Sequence, residues 1–346
     1  MSWLRRPRTG GLIVLGSSAF GGAAYRFLQP STSDASLNPQ SFTPYTLTKK
    51  QPVSSTSAIF TLQNRDGGPD PVSLKEGWKN RVWSVQVKQP QLQIARAYTP
   101  LPSTSEAYTY EDDEPEDLRF LIRQEEGGEV STYLHRLPLE STIELRGPHT
   151  ECELPDDIKE VIFLAGGTGI APAMQIAHAL GQRSGGRMHI LWANRRREEC
   201  LGGVSDETEV NIGTQGRSSW WKGLLGLGQP AAQTALVETQ SSQGTGLIVH
   251  ELDTLKARSK AQAQGLVVQY YVDEEHSFIK AGDVAKRLGQ DAPEKNGSKV
   301  IFVSGPTGFL NYWAGKKLWV GGQEVQGPLG GVLGHMDLKG WSVYKF

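Results

Sequence analysis

The stretch Val161-Ile-Phe-Leu-Ala-Gly-Gly-Thr-Gly-Ile-Ala-Pro172 limits the fold more than any other part of the chain. Its apolar run, 161–165, reads as a strand buried on both faces. Gly166, Gly167 and Gly169 then permit a backbone turn that a Cβ would obstruct. Pro172, with its fixed φ and missing N–H, suits the first turn of a helix, which Ala173–Leu180 continues. Strand, glycine turn and helix N-terminus together make an anion site, because free N–H groups and the helix dipole point at one spot. Thr168 adds a hydroxyl there. The same residues also make a plain strand-to-helix turn with no ligand, and Pro172 stands where a G-x-G-x-x-G turn carries its third glycine.

Beyond about residue 156 the pattern continues in kind. Met188–Ala193, Leu266–Val272 and Val300–Val303 read as buried strands, and 279–288 as a helix. Alternating strands and helices predict a doubly wound parallel α/β domain over 156–346. Residues 203–245 break the pattern with Gly, Ser, Gln and Thr and read as an insertion. Its apolar knot, Trp220–Leu227, either meets a membrane or partner or packs back on its own domain.

Ahead of it, 44–155 holds short β segments: Thr46–Thr48, Ser57–Leu62, Val82–Val87, Leu92–Ala95, Leu118–Ile122 and Ile143–Leu145. With Val130–Leu137 as the single helical piece, this predicts a small antiparallel β-barrel. The acidic run Glu111–Asp117 is a solvated loop or a device that steers a basic partner.

The first 28 residues hold Arg5, Arg6, Arg8 and Arg26 and no acid, so the remainder carries −5 against a whole-chain charge of −1. That balance argues against nucleic acid as a partner. Thr9–Tyr25 is uncharged for 17 residues, near the lower limit for spanning a bilayer. We read 1–28 as a mitochondrial targeting and transmembrane segment, with a secretory signal as the rival, and 29–43 as a linker. Arginines ahead of the span keep the N-terminus in the matrix, so the body faces the intermembrane space from the inner membrane. Cys152, Cys200 and the seven histidines show no metal-type spacing.

Chemistry gathers at Arg96-Ala-Tyr-Thr-Pro100, where Arg96 and Tyr98 share one face of a strand. Arginine suits a pyrophosphate and a tyrosine ring suits a flat heterocycle. Gly127-Gly-Glu-Val-Ser-Thr132 opens the helical piece as a second phosphate cradle, and Arg146-Gly-Pro148 follows.

In this order and spacing, RAYTP, GGEVS, RGP and GGTGIAP resemble the flavoprotein reductases of the ferredoxin reductase and cytochrome b5 reductase type. Val303-Ser-Gly-Pro306 is similar to that family's last nicotinamide motif, and the likeness covers about 44–346 without the insertion. It implies FAD on the barrel, NADH or NADPH on the α/β domain, and transfer of electrons between them. Arg96, Ala97, Tyr98 and Thr99 would form the flavin strand, with Arg96 on the pyrophosphate and Thr99 near the reactive flavin nitrogen. Leu121 and Arg123 would line the ribityl and adenine side, and Gly128, Glu129, Val130 and Ser131 the second phosphate clamp. Gly166, Gly167, Thr168, Gly169, Gly305 and Pro306 would hold the pyridine nucleotide. Ser304 stands where the family has a cysteine beside the reacting carbon. Asn194-Arg-Arg-Arg197 replaces an acid that would favour NAD, and is either a 2′-phosphate site or a solvated basic loop.

The basic N-terminal span and the ending Gly340–Phe346 further resemble a fungal mitochondrial, membrane-anchored branch associated with haem attachment to cytochrome c. That likeness implies a haem or iron acceptor, with cytochrome c and its haem-attachment machinery as partners. A flavin-binding assembly factor with little turnover, and a general cytochrome b5-type reductase, are the alternatives.

Overall fold

A computed structural model describes residues 36–65, 72–103, 117–183, 186–206, 244–261, 265–288 and 298–346. The N-terminal part is an antiparallel sheet of seven strands: β1 (Thr43–Pro52), β2 (Ser57–Gln63), β3 (Arg81–Gln89), β4 (Ile94–Tyr98), β5 (Pro100–Leu101), β6 (Leu118–Arg123) and β7 (Thr142–Glu153). Their order is β4-β3-β7-β1-β2-β6-β5. Only Thr99 separates β4 from β5. There the chain leaves its ladder with β3, where Val85 faces Tyr98, and joins β6, where Pro100 faces Phe120. The two ends of the strand order therefore fall on consecutive residues, which closes the sheet round a core of Leu47, Phe60, Trp83, Val85, Phe120 and Leu145.

Two expectations for this part need correction. Besides α2 (Glu129–Arg136), a second helix, α1 (Val72–Asn80), precedes β3. Its sequence carries a glycine, Gly77, inside the helix, which weakens the helical signal. Its Trp78 packs edge-to-face on Trp83 with ring centroids 4.9 Å apart. The end of the expected linker also belongs to the barrel. Leu37 is buried in its core, and Gly147 N–H donates to Asn38 O at 3.0 Å.

The second part is a five-stranded parallel sheet in the order β10-β9-β8-β11-β14. Its elements are β8 (Ile158–Gly166), α3 (Ile170–Gly181), β9 (Arg187–Asn194), α4 (Leu247–Ala261), β10 (Gly265–Val272), α5 (Ala281–Leu288), β11 (Ser298–Ser304), α6 (Thr307–Ala314) and β14 (Trp341–Lys345). A small hairpin, β12 (Leu318–Val320) and β13 (Gln323–Val325), precedes β14. Residues 161–165 are buried in the central strand β8, as a strand covered on both faces must be. The order reverses between β8 and β11, where an open parallel sheet leaves a crevice at the carboxyl ends of its strands.

The described edges of the expected insertion 203–245 are tied to the domain. Gly246 N–H donates to Leu201 O at 2.9 Å, so the flanks of the segment meet. Asp206 then bonds back to Val268 on β10. The apolar knot 220–227, the anchor 1–28 and all of the acidic run but Asp117 lie outside the described residues. Among the described residues no helix is long and apolar enough to cross a membrane.

Candidate functional site

On the barrel side, β4 presents Arg96 and Ala97 to solvent, while Tyr98 and Thr99 are half-buried. Arg96 Nη1 donates to Ala95 O at 3.1 Å and has no acidic partner among the described residues. Burial pushes the Tyr98 phenol up to about 12, against the pull of Arg96 and with Glu125 adding to the rise. The ring therefore stays neutral at working pH and offers a flat face beside a free cation.

The second cradle begins at Gly127, whose φ of 72° needs glycine. A Cβ on Gly128 would lie 2.6 Å from Ser131 Oγ. That hydroxyl is already committed, accepting from Glu125 N–H at 3.1 Å and donating to Gly128 O at 3.2 Å. Ser131 thus shapes the turn with its side chain, and Gly128 N–H donates to Glu125 O at 3.0 Å. Gly127, Gly128, Glu129 and Tyr133 line a cavity of about 530 Å³ with Leu92. Val130 and Leu121 turn inward into packed cores.

On the α/β side, β8 ends at Gly166 and one turn, Gly167–Gly169, leads into α3. Gly167 has φ 55°, and Trp192 Nε1 donates to its carbonyl at 2.9 Å. A Cβ on Gly305 would meet Gly166 Cα at 3.0 Å. Glycine at these positions lets the turns after β8 and β11 touch, with Ser304 paired to Ala165 in the ladder. The crevice there is a cavity of about 550 Å³, lined by Gly166, Gly167, Asn194, Arg195, Asp273, Pro306 and Phe309. Thr168 sits half-buried in the turn itself.

Arg123 lies at the junction of the two sides. It comes from β6 of the barrel, yet its guanidinium packs against Gly167, lines the crevice and forms a buried ion pair with Glu199. Arg123 Nε and Asn194 Nδ2 are buried there without a hydrogen-bond partner among the described residues. The basic triplet divides. Arg197 is held by Glu275 and Gly203 O, and Arg196 reaches Glu198 and Ser55 Oγ, whereas Arg195 lines the crevice. Glu199, Asp273 and Phe309 escaped the sequence reading. Asp273 carried a signal, since it follows β10 as Arg195 follows β9, at the strand ends where ligands bind.

Residues 44–154 match the family described as oxidoreductase FAD-binding domain, and residues 163–209 match the oxidoreductase NAD-binding domain. In both domains the chain is similar to the ferredoxin reductase-like flavoproteins. The flavoprotein is 31% identical over 159 residues to the cytochrome c mitochondrial import factor CYC2 of Saccharomyces cerevisiae, a match covering 42% of this chain and 42% of that protein. It is 25% identical over 257 residues to NADH-cytochrome b5 reductase 2 of Scheffersomyces stipitis, covering 73% of this chain and 67% of the relative. The chain thus spans less than half the length of the import factor. Phthalate dioxygenase reductase shares the fold with a TM-score of 0.51 at 14% identity, over 89% of this chain and 70% of that one. FAD and NADH or NADPH are the cofactors of this flavoprotein. The residues fit both groups. Arg96, with no acidic partner among the described residues, and the Gly127–Gly128 turn each suit a phosphate on the barrel. The unpartnered Asn194 and Arg123 nitrogens around Gly167 suit a second one in the crevice.

Proposed function

We propose that the flavoprotein is an NAD(P)H oxidoreductase that passes electrons through FAD to a haem or iron acceptor, reducing haem for cytochrome c maturation in mitochondria. The observation that carries this reading is Arg123 of the barrel packed on Gly167 of the nucleotide turn, since it sets the two cofactor sides against each other. Bound FAD would supply the change from a two-electron donor to one-electron delivery. The chain's own task is placement. Arg96 offers its guanidinium to a pyrophosphate, Tyr98 gives a neutral ring to lie against the flavin, and the 167–169 turn gives N–H groups to the nucleotide. Thr99, Thr168 and Ser304 then border the space between.

Likeness to the import factor supports the mitochondrial assignment. The arginines ahead of the apolar run 9–25 support an inner-membrane anchor with the body in the intermembrane space. There the acidic run 111–117 would attract a basic apocytochrome. A second reading, a flavin-binding assembly factor with little turnover, draws on Ser304 in place of cysteine.

The test compares NAD(P)H-dependent reduction of free haem, haem–apocytochrome c, ferricyanide and a quinone by residues 29–346, which keep the buried Leu37. Preference for the haem substrates is expected, weakened by salt because exposed charges are screened within about 8 Å at physiological ionic strength. Equal, salt-insensitive rates on all four would leave a reductase without a haem role, and no turnover at all would favour the assembly factor. Arg96→Ala should retain FAD less well by about 1.5–3 kcal/mol, through loss of a charged hydrogen bond. A colourless parent that FAD cannot reconstitute would remove the whole reading.

A further inference from the structure

Gln175 is the one amide in the otherwise apolar run from Ile170 to Ala177, and it is only 1% exposed. A side chain so deeply buried must satisfy its polar atoms inside the protein. It does so entirely on the barrel. Its Oε1 accepts from Trp83 N–H at 3.0 Å, and its Nε2 donates to Trp83 O at 3.2 Å and Pro100 O at 2.9 Å.

These backbone groups lie where the barrel's own ladder is interrupted. The β3–β4 pairing begins at Val85 and Tyr98, leaving Trp83 with no strand on that edge, while Pro100 pairs with β6 on its other side. Gln175 supplies the missing rung. In doing so it holds the backbone next to Thr99 and the backbone of β3 with one rigid, planar group. That group belongs to α3, which directly follows the turn that carries Thr168, seven residues and roughly two helical turns earlier.

We propose that Gln175 is a positioning residue for electron transfer, fixing the separation between the flavin strand at Thr99 and the nucleotide turn at Thr168. This deepens the functional reading above and rests on it. A purely structural amide would serve stability alone. A positioning amide must also govern the rate at which the two cofactors react, because reacting atoms need to approach within about 3–3.5 Å and a misplacement near 1 Å costs on the order of a hundredfold.

The experiment uses the FAD-loaded protein and Gln175→Met, which keeps length and removes all three bonds. Three quantities are compared with the parent: hydrogen exchange at the Trp83 amide, dissociation constants for FAD and NAD⁺, and the rate of anaerobic flavin bleaching by NADH. Faster exchange at Trp83, binding constants within about threefold, and bleaching slowed by about 10- to 100-fold are expected. Gln175→Glu provides the second variant, since it keeps the acceptor for Trp83 N–H and, as a neutral acid, one donor. It should bleach at an intermediate rate. A variant that retains flavin and bleaches within twofold of the parent overturns the proposal. Loss of flavin from both variants also overturns it, because the residue would then belong to the fold alone. The parent's own bleaching reports on the functional reading, and the ratio of variant to parent reports on Gln175, so the two failures are read separately.

Discussion

Gly169 stands so near Ser304 that a Cβ on the glycine would lie 2.4 Å from the serine's carbonyl oxygen. The turn that follows β8 and the end of β11 are therefore one packed unit, and neither can be reshaped without the other.

Gly169→Ala tests that unit. The added methyl must displace backbone, at a cost of about 1–3 kcal/mol for overpacking. Lower thermal stability and weaker NAD⁺ binding are expected, with the flavin spectrum unchanged because the barrel cradle is untouched. Parental affinity for NAD⁺ in the alanine variant would mean that the two turns separate freely.

Ser304→Cys should act on the reaction and nothing else. The residue is buried at the carboxyl end of β11, two residues before Pro306 of the crevice lining. A thiol is larger and more polarisable than a hydroxyl. FAD stoichiometry should hold while the rate of flavin bleaching by NADH changes. Loss of FAD in this variant would place Ser304 in the wrong cofactor site.

Acid sensitivity should follow two histidines. His178 and His189 are both lowered to about 4, first by burial and then by arginines: Arg258 beside His178, and Arg287 and Arg187 beside His189. His189 Nδ1 is buried without a hydrogen-bond partner among the described residues, so a charge there has no compensation. The unfolded chain protonates each near the usual imidazole value of about 6.5. Stability is therefore full above that value and is lost as the pH falls toward 4, by at most about 1.4 kcal/mol per unit for each residue. Urea melts at pH 7 and pH 5 should show the loss, and His189→Leu should reduce it. A variant with an unchanged pH slope would locate the acid sensitivity elsewhere.

What the sequence reveals depends on how far apart the cooperating residues lie. Gly166–Pro172 is local, and its apolar strand, glycines and proline prescribe the turn directly. The α/β alternation is legible for the same reason, since each buried strand carries its own hydrophobic run. The helix α4 was harder to see, although Ile248, Leu252 and Leu255 recur at helical spacing. It directly follows the Gly-, Ser- and Gln-rich segment, which masks its start.

The relations across the two parts were not legible. Gln175 shows as a lone polar residue in an apolar helix, but its partners at Trp83 and Pro100 come from far earlier in the chain. Arg123 sits in a strand whose alternation gives its face and nothing about what that face meets. Only the docking of the barrel on the sheet turns it toward Gly167 and Glu199. Likewise, three consecutive arginines look alike until Glu198 and Glu275 claim two of them.

The bond between Gly246 N–H and Leu201 O has a consequence for variation across relatives. The flanks of the segment are joined by the protein's own backbone next to the sheet. Doubling the length of such a closed loop costs only about 0.6 kcal/mol in chain entropy. A change in the length of the segment between the flanks is therefore expected to leave the turns at Gly167 and Gly305 in place.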